Sequence, residues 1–187
     1  RACRWSHKAR GIPLLPLPPF EIYPSVIDRL REDLKHLRAQ EDAANLASRR
    51  LGCISRALDA ELDRVRGSHR AGATGTEVVR ALTSRADDLL CVLHEQACLD
   101  AGGQPETAYA ILALGGYGRG ALNPKSDIDL LFLCETVQED DPVTKAVLHA
   151  LFDLHFEVGF STRTIADCLS LARQDSESLT AMLEVRC

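Results

Sequence analysis

Residues 111–133 read ILALGGYGRGALNPKSDIDLLFL, and this stretch decides the fold of the chain. Two apolar runs flank a double glycine, Gly115–Gly116, and a polar loop that ends in Asp127-Ile128-Asp129. Side chains alternate between the two faces of a strand. The pattern therefore predicts one strand before the glycines and another from the aspartates onward, with both carboxylates on one face and the intervening isoleucine in the core.

This arrangement is typical of a site for a divalent metal and a phosphate. Mg²⁺ is usually held by one or two carboxylates together with phosphate oxygens and water. The two glycines lack Cβ, so a triphosphate can lie close to their N–H groups. Ser126 offers a hydroxyl donor, and Arg119 offers a planar fork of donors. We expect Asp127 and Asp129 to bind metal, and the other four residues to bind the triphosphate.

Simpler interpretations of each part fail when the parts are taken together. A lone Asp-x-Asp is usually a solvated face, and Gly-Gly alone is usually a turn. A dinucleotide-binding fingerprint requires glycine where Ala121 stands, and the Gly-Lys-Ser/Thr of a P-loop does not occur in the sequence. The conjunction of strand, double glycine, Ser-Asp-x-Asp and strand favours nucleotide chemistry.

The same residues resemble a known family. Gly115-Gly116 followed by Ser126-Asp127-Ile128-Asp129 resembles the signature of the DNA polymerase β-like nucleotidyltransferase superfamily. The string GGYGRGALNPKSDIDLL at 115–131, and residues 152–186 after it, are similar to the PII uridylyltransferase (uridylyl-removing) branch. The resemblance covers about residues 110–187 and departs at Ala121, where the family usually has glutamate. It implies Mg²⁺-dependent transfer of UMP from UTP to a tyrosine of a PII-type signalling protein, with release of pyrophosphate.

The superfamily also implies a third acidic residue on a neighbouring strand. In the predicted strand 157–163, the odd positions share a face, which aligns Glu157, Ser161 and Arg163 and leaves space at Gly159. Glu157 is the candidate catalytic acid, although a solvated strand-start glutamate is an equal alternative. Arg163 joins Arg119 as a candidate partner of the triphosphate.

Two other functions stay open on the sequence. One is a nucleotidyltransferase that uses a different nucleotide or acceptor. The other is a catalytically inactive regulatory module that only binds nucleotide. The intact Asp127-x-Asp129 pair argues against lost activity, whereas glycine at position 159, where the third acid is expected, argues for it.

Composition narrows the class of protein further. A net charge of −5 argues against non-specific nucleic-acid binding. No apolar run approaches the roughly 20 residues that cross a membrane, so no membrane association is expected. The seven cysteines are odd in number and form no C-x-x-C, which favours reduced thiols and a cytoplasmic location.

The order of patterns along the chain predicts an α+β fold, a small mixed β-sheet nucleotidyltransferase core with an N-terminal helical region. We expect a proline-rich arm (1–22), a helical region (23–103) and a C-terminally truncated core (104–187), with further C-terminal domains of the same chain missing. Packing of the helical region against the core is favoured over a coiled coil, and Ser25 is the expected first cap. The predicted helices and strands are one or two helices over 23–66, a break at 67–75, helix 76–99, strand 109–114, strand 128–134, helix 142–155, strand 157–163 and helix 165–186.

Overall fold

A computed structural model describes residues 26–40, 43–103, 109–138 and 140–187 of the chain. The proline-rich arm and the proposed cap at Ser25 lie outside these residues. Within them, helices and three strands follow the predicted order, except that a short helical turn lies between the first two strands, where the sequence predicts a loop. In chain order the elements are α1 (Val26–Gln40), α2 (Ala43–Arg70), α3 (Gly75–Asp100), β1 (Tyr109–Ala113), α4 (Gly115–Gly118), β2 (Ile128–Cys134), α5 (Pro142–Asp153), β3 (Val158–Arg163), α6 (Ile165–Gln174) and α7 (Ser176–Leu183).

The three strands form one mixed sheet in the order β1-β2-β3. β1 pairs antiparallel with β2, so that Ala113 lies opposite Leu130. β2 pairs parallel with β3, so that Asp129 lies opposite Gly159. The parallel pair needs a crossover connection, and α5 supplies it. The predicted α+β class and mixed sheet are confirmed.

One hydrophobic core joins the N-terminal helices to the sheet. Ile128, Leu130 and Phe132 of β2 belong to it together with residues of α3 and α5. Four apolar residues of α1 and two of α2, spaced three or four apart, also belong to it. These buried residues include Ile27, Leu30, Leu34, Leu37, Ile54, Leu58, Leu89, Val92, Ile128, Leu130, Phe132, Val147 and Leu151. The helices therefore pack against the core, as expected, and the proposed domain boundary near residue 103 stays a prediction.

The structure corrects three helix boundaries. The helical region before the glycine-rich break is two helices, and the second runs on to Arg70, so the break shrinks to 71–74. α3 begins at Gly75, one residue before the predicted start, and Thr74 caps it in a reciprocal capping box with Glu77. The predicted helix 165–186 is two helices, because Asp175 ends α6 and its carboxylate accepts the first N–H groups of α7.

The last residues of the chain return to the sheet. Arg186 forms an isolated antiparallel bridge with Ala113 at the end of β1. The outer edge of β1 is therefore covered at the point where the chain enters α4. No helix of the described residues has both the length and the apolar character needed to cross a bilayer.

Candidate active site

The two aspartates lie at the start of β2 on the face opposite the hydrophobic core. Ile128 and Leu130 are each 1% exposed and enter the core. Asp129 between them therefore projects from the other face, where it is partly buried. Asp127 directly precedes the strand and is exposed. The alternation that the sequence predicts for this strand is confirmed.

Two glycines make room for the carboxylate of Asp129. A Cβ built on Gly159, its neighbour across the parallel pair, would lie 2.5 Å from Oδ1 of Asp129. A Cβ built on Gly115 would lie 3.0 Å from Oδ2. The carboxylate thus occupies space that exists because both positions lack a side chain. The absence of an acid at position 159 has this physical reason, which the sequence alone does not reveal.

The charge of Asp129 is held at an energetic cost. Burial raises the pKa of this carboxyl above its ordinary value, and the negative charge of Asp127 raises it further. A carboxylate whose proton affinity is raised by burial and by a neighbouring negative charge is also one that a cation stabilises. The donor set, two carboxylates with hard oxygen atoms, therefore fits Mg²⁺.

The double glycine forms the short helical turn α4 directly behind Asp129. Gly115 has φ of +56°, a left-handed conformation that glycine adopts without strain. The N–H of Leu114 donates to the carbonyl of Asp129 at 2.9 Å, which ties the turn to β2. Leu114 provides no side-chain cap, and the first N–H groups of a helical turn have no partner inside it. These N–H groups are available to an anion such as a phosphate.

Gly116 differs from Gly115 in what surrounds it. A Cβ on Gly116 would meet the carbonyl oxygen of Ala121 at 3.4 Å and Nη2 of Arg119 at 3.9 Å, which is ordinary contact. The fold itself therefore leaves space for a Cβ at Gly116. A requirement for glycine in place of alanine at this position would come from a bound ligand.

Arg119 and Ser126 lie on the exposed loop between the turn and β2. The guanidinium of Arg119 is beside the turn and pairs with the carboxylate of Glu184 at 2.5 Å. Ser126 immediately precedes Asp127, and its backbone N–H donates to the carbonyl of Asn123 at 3.1 Å. Both side chains are exposed at the surface, and their roles stay predictions.

Glu157 and Arg163 lie on the same face of the sheet as the aspartates, but neither forms a common group with them. The carbonyl of Glu157 accepts from the N–H of Ile128, and its side chain is exposed. Among the described residues, no three His, Cys, Asp or Glu side chains form a group that could hold a metal, so Glu157 does not complete such a group. Arg163 lies opposite Leu133, four residues beyond the Gly159 position. At about 3.3 Å per residue, its backbone is roughly 13 Å from that of the site.

Three residues near the turn were not found from the sequence. The hydroxyl of Tyr117, in the middle of α4, donates to Asp87 of α3 at 2.6 Å. Arg186 donates to both oxygens of Asp87, at 2.8 and 2.9 Å. We name these residues the Asp87–Tyr117–Arg186 cluster. Tyr117 stands within the glycine-rich stretch, but Asp87 and Arg186 are 99 residues apart and carry no local signal.

Comparison with known proteins supports the resemblance seen in the sequence. No protein-family model matches the chain. Three relatives share the name bifunctional uridylyltransferase/uridylyl-removing enzyme. The protein of Phenylobacterium zucineum is 40% identical to the chain over 121 residues, which are 62% of the chain. The protein of Gluconobacter oxydans is 36% identical over 151 residues, or 79% of the chain. The protein of Ruegeria pomeroyi is 47% identical over 79 residues, or 41% of the chain.

The matched region is a small part of each relative. It spans 13%, 15% and 9% of the lengths of these three proteins, in the same order. The predicted resemblance is confirmed over the compared stretch.

Proposed function

The chain is a relative of the bifunctional uridylyltransferase/uridylyl-removing enzymes, and from this premise we propose that it carries a nucleotidyl-transfer site that moves UMP from UTP to a protein hydroxyl. One observation carries the proposal. The carboxylate of Asp129, next to that of Asp127, is packed against the left-handed glycine turn at Gly115. Two carboxylates beside the N–H groups of a glycine turn support a metal site next to a phosphate site.

Each part of the site has a distinct task in this proposal. Asp127 and Asp129 would hold Mg²⁺, which lowers the pKa of the acceptor hydroxyl and neutralises charge on the departing phosphates. The N–H groups of the turn that begins at Gly115 receive phosphate oxygens. Arg119, beside the turn, exchanges its ion pair with Glu184 for one with the triphosphate. Positioning and electrostatics of this kind account for most of the rate in phosphoryl-group chemistry.

The reaction is a substitution at the α-phosphorus of UTP. The acceptor oxygen forms a bond to this phosphorus, and the bond from the same phosphorus to the oxygen that bridges to the β-phosphate breaks. Pyrophosphate leaves with the bonding electron pair, and the acceptor proton passes to solvent. Asp127 and Asp129 keep their negative charges during the whole reaction.

The identities of the nucleotide and acceptor are the finer part of the proposal. Uridylyl transfer is what the relatives' name states. A tyrosine of a PII-type protein as acceptor follows from the family resemblance of residues 115–131. The net charge of −5 supports a protein acceptor over a nucleic acid.

Labelled nucleotides test the proposal directly. The full-length protein is incubated with Mg²⁺, a PII-type protein and UTP labelled at the α-phosphate. We expect label on the PII-type protein, no label when EDTA removes Mg²⁺, and no label with the Asp129→Asn variant. Transfer from ATP in place of UTP would keep the reaction class and reject the nucleotide, whereas no transfer and no Mg²⁺-dependent nucleotide binding would refute both.

A regulatory module that binds nucleotide without turnover is the second candidate. The observation in its favour is that Glu157 forms no three-carboxylate group with Asp127 and Asp129. Isothermal titration calorimetry separates it from an enzyme. Mg²⁺-dependent binding of UTP together with no transfer to any acceptor protein would favour the module.

A further inference from the structure

The Asp87–Tyr117–Arg186 cluster links three parts of the chain at the back of the glycine turn. Asp87 belongs to α3, Tyr117 to α4, and Arg186 to the segment after α7. Tyr117 is 2% exposed, so the turn is anchored by a side chain that is wholly inside the protein. The guanidinium of Arg186 also lies over the Tyr117 ring, 5.1 Å from its centre, and donates to the Tyr117 carbonyl at 3.2 Å.

Backbone contacts of the same segment hold the turn from the other side. The N–H of Ala113 donates to the carbonyl of Arg186 at 2.7 Å, and the N–H of Arg186 donates back at 3.1 Å. Gly118 closes the turn so tightly that an added Cβ would lie 2.7 Å from the Ala113 carbonyl oxygen and 2.8 Å from that of Glu184. Residues before, within and at the end of the turn are thus fixed by one C-terminal segment.

We propose that Arg186 is a positioning residue, which acts through Asp87 and Tyr117 to hold the Gly115–Gly118 turn in the shape that receives the triphosphate. The inference rests on the proposed function. Its basis is that the Arg186 guanidinium contacts the turn itself as well as Asp87. Nε of Arg186 is buried without an acceptor among the described residues, so the contacts depend on the two terminal nitrogens. A lysine retains the charge but cannot donate to both carboxylate oxygens and the carbonyl in this planar arrangement.

A second ion pair in the same protein provides a matched control. Arg31 of α1 donates to both oxygens of Glu95, each at 3.0 Å. Glu95 lies eight residues beyond Asp87 on α3, about 12 Å along the helix. The two pairs have similar exposure, 33% and 45% for the side chains of Arg31 and Glu95, against 34% and 37% for those of Arg186 and Asp87. Arg186→Lys and Arg31→Lys therefore remove equivalent bidentate pairs, and only the first one touches the turn.

The experiment compares the two variants in the full-length protein by two measurements. Hydrogen–deuterium exchange without nucleotide reports the rigidity of the turn. We expect amides of residues 113–121 to exchange about tenfold faster in Arg186→Lys, and at the wild-type rate in Arg31→Lys. Steady-state kinetics should show a KM for UTP about tenfold higher in Arg186→Lys, with the KM for the acceptor protein unchanged.

Tyr117→Phe is a second, milder variant that keeps the ring and removes only the hydroxyl bond to Asp87. It should raise the KM for UTP about threefold in a fully folded protein. Equal exchange at 113–121 in both lysine variants would overturn the inference, and so would faster exchange with an unchanged KM for UTP. A wild-type protein that does not bind nucleotide would refute the proposed function instead. In that case the exchange comparison alone decides whether Arg186 holds the turn.

Discussion

Gly159→Ala tests whether the position of the Asp129 carboxylate matters for transfer. The new Cβ would start 2.5 Å from Oδ1 of Asp129. Van der Waals contact lies near 3.5 Å, so the carboxylate has to retreat by roughly 1 Å. A displacement of about 1 Å at a catalytic group costs on the order of 100-fold in rate, which corresponds to about 2.7 kcal/mol.

The same change should leave the fold intact. The contact that the Cβ meets is the end of a side chain, not backbone, and it can move aside. Alanine in a strand is more favourable than glycine by roughly 0.5–1 kcal/mol. We therefore expect the free energy of unfolding of Gly159→Ala to stay within about 1 kcal/mol of the wild-type value, while transfer drops about 100-fold.

The assay pairs steady-state UMP transfer with urea unfolding followed by circular dichroism. Gly52→Ala in α2 is the control, because a Cβ there meets no atom within 4 Å and lies away from the sheet. The control should keep wild-type transfer. Full transfer by a folded Gly159→Ala protein would refute the reasoning that the two strands place Asp129 for catalysis.

Four further outcomes are expected. Asp127→Asn and Asp129→Asn should each abolish transfer, because amides bind Mg²⁺ weakly. Substantial UMP transfer by either variant would show that the replaced aspartate is not a metal ligand. Asp129→Asn should also raise the melting temperature at pH 7. The folded-state pKa of Asp129 is raised, so its ionisation weakens the fold as pH rises through that pKa. The increase in melting temperature should therefore vanish below about pH 4, where the carboxyl is protonated in both the folded and the unfolded state. An increase that persists at this pH would show that it does not come from the ionisation of Asp129. Gly116→Ala should raise the KM for UTP without unfolding the protein, since a Cβ there makes only ordinary contacts; an unchanged KM would place the phosphates elsewhere. Gly118→Ala should lower the free energy of unfolding by about 1–3 kcal/mol, because its Cβ meets two backbone carbonyl oxygens at 2.7 and 2.8 Å, and wild-type stability in urea would show that the turn can relax.

Local patterns in the sequence were sufficient for most of the sheet and for the position of the two aspartates on it. The alternation around Asp127 and Asp129 determines which face each side chain takes, because successive residues of a strand point in opposite directions. Pro142 marks the first turn of α5, and the helix begins there. The left-handed Gly115 likewise fits a double glycine between two apolar runs.

Helix ends were less predictable, because capping hydrogen bonds decide where they lie. The predicted start of α3 at residue 76 is one residue late, because the reciprocal hydrogen bonds between Thr74 and Glu77 set the first turn. Asp175 interrupts a continuous helical periodicity, because its carboxylate accepts the N–H groups of the next helix.

The remaining features of the site depend on distant parts of the chain meeting. The sequence shows that residue 159 is a glycine, but only the parallel register sets it against Asp129 and explains why a side chain there would displace the carboxylate. Asp87 and Arg186 meet at the glycine turn only after α3 and the C-terminal segment have both packed against it. Periodicity fixes the face on which a residue lies, whereas strand register and long-range pairing fix its neighbours, and these follow from the packing of the whole core.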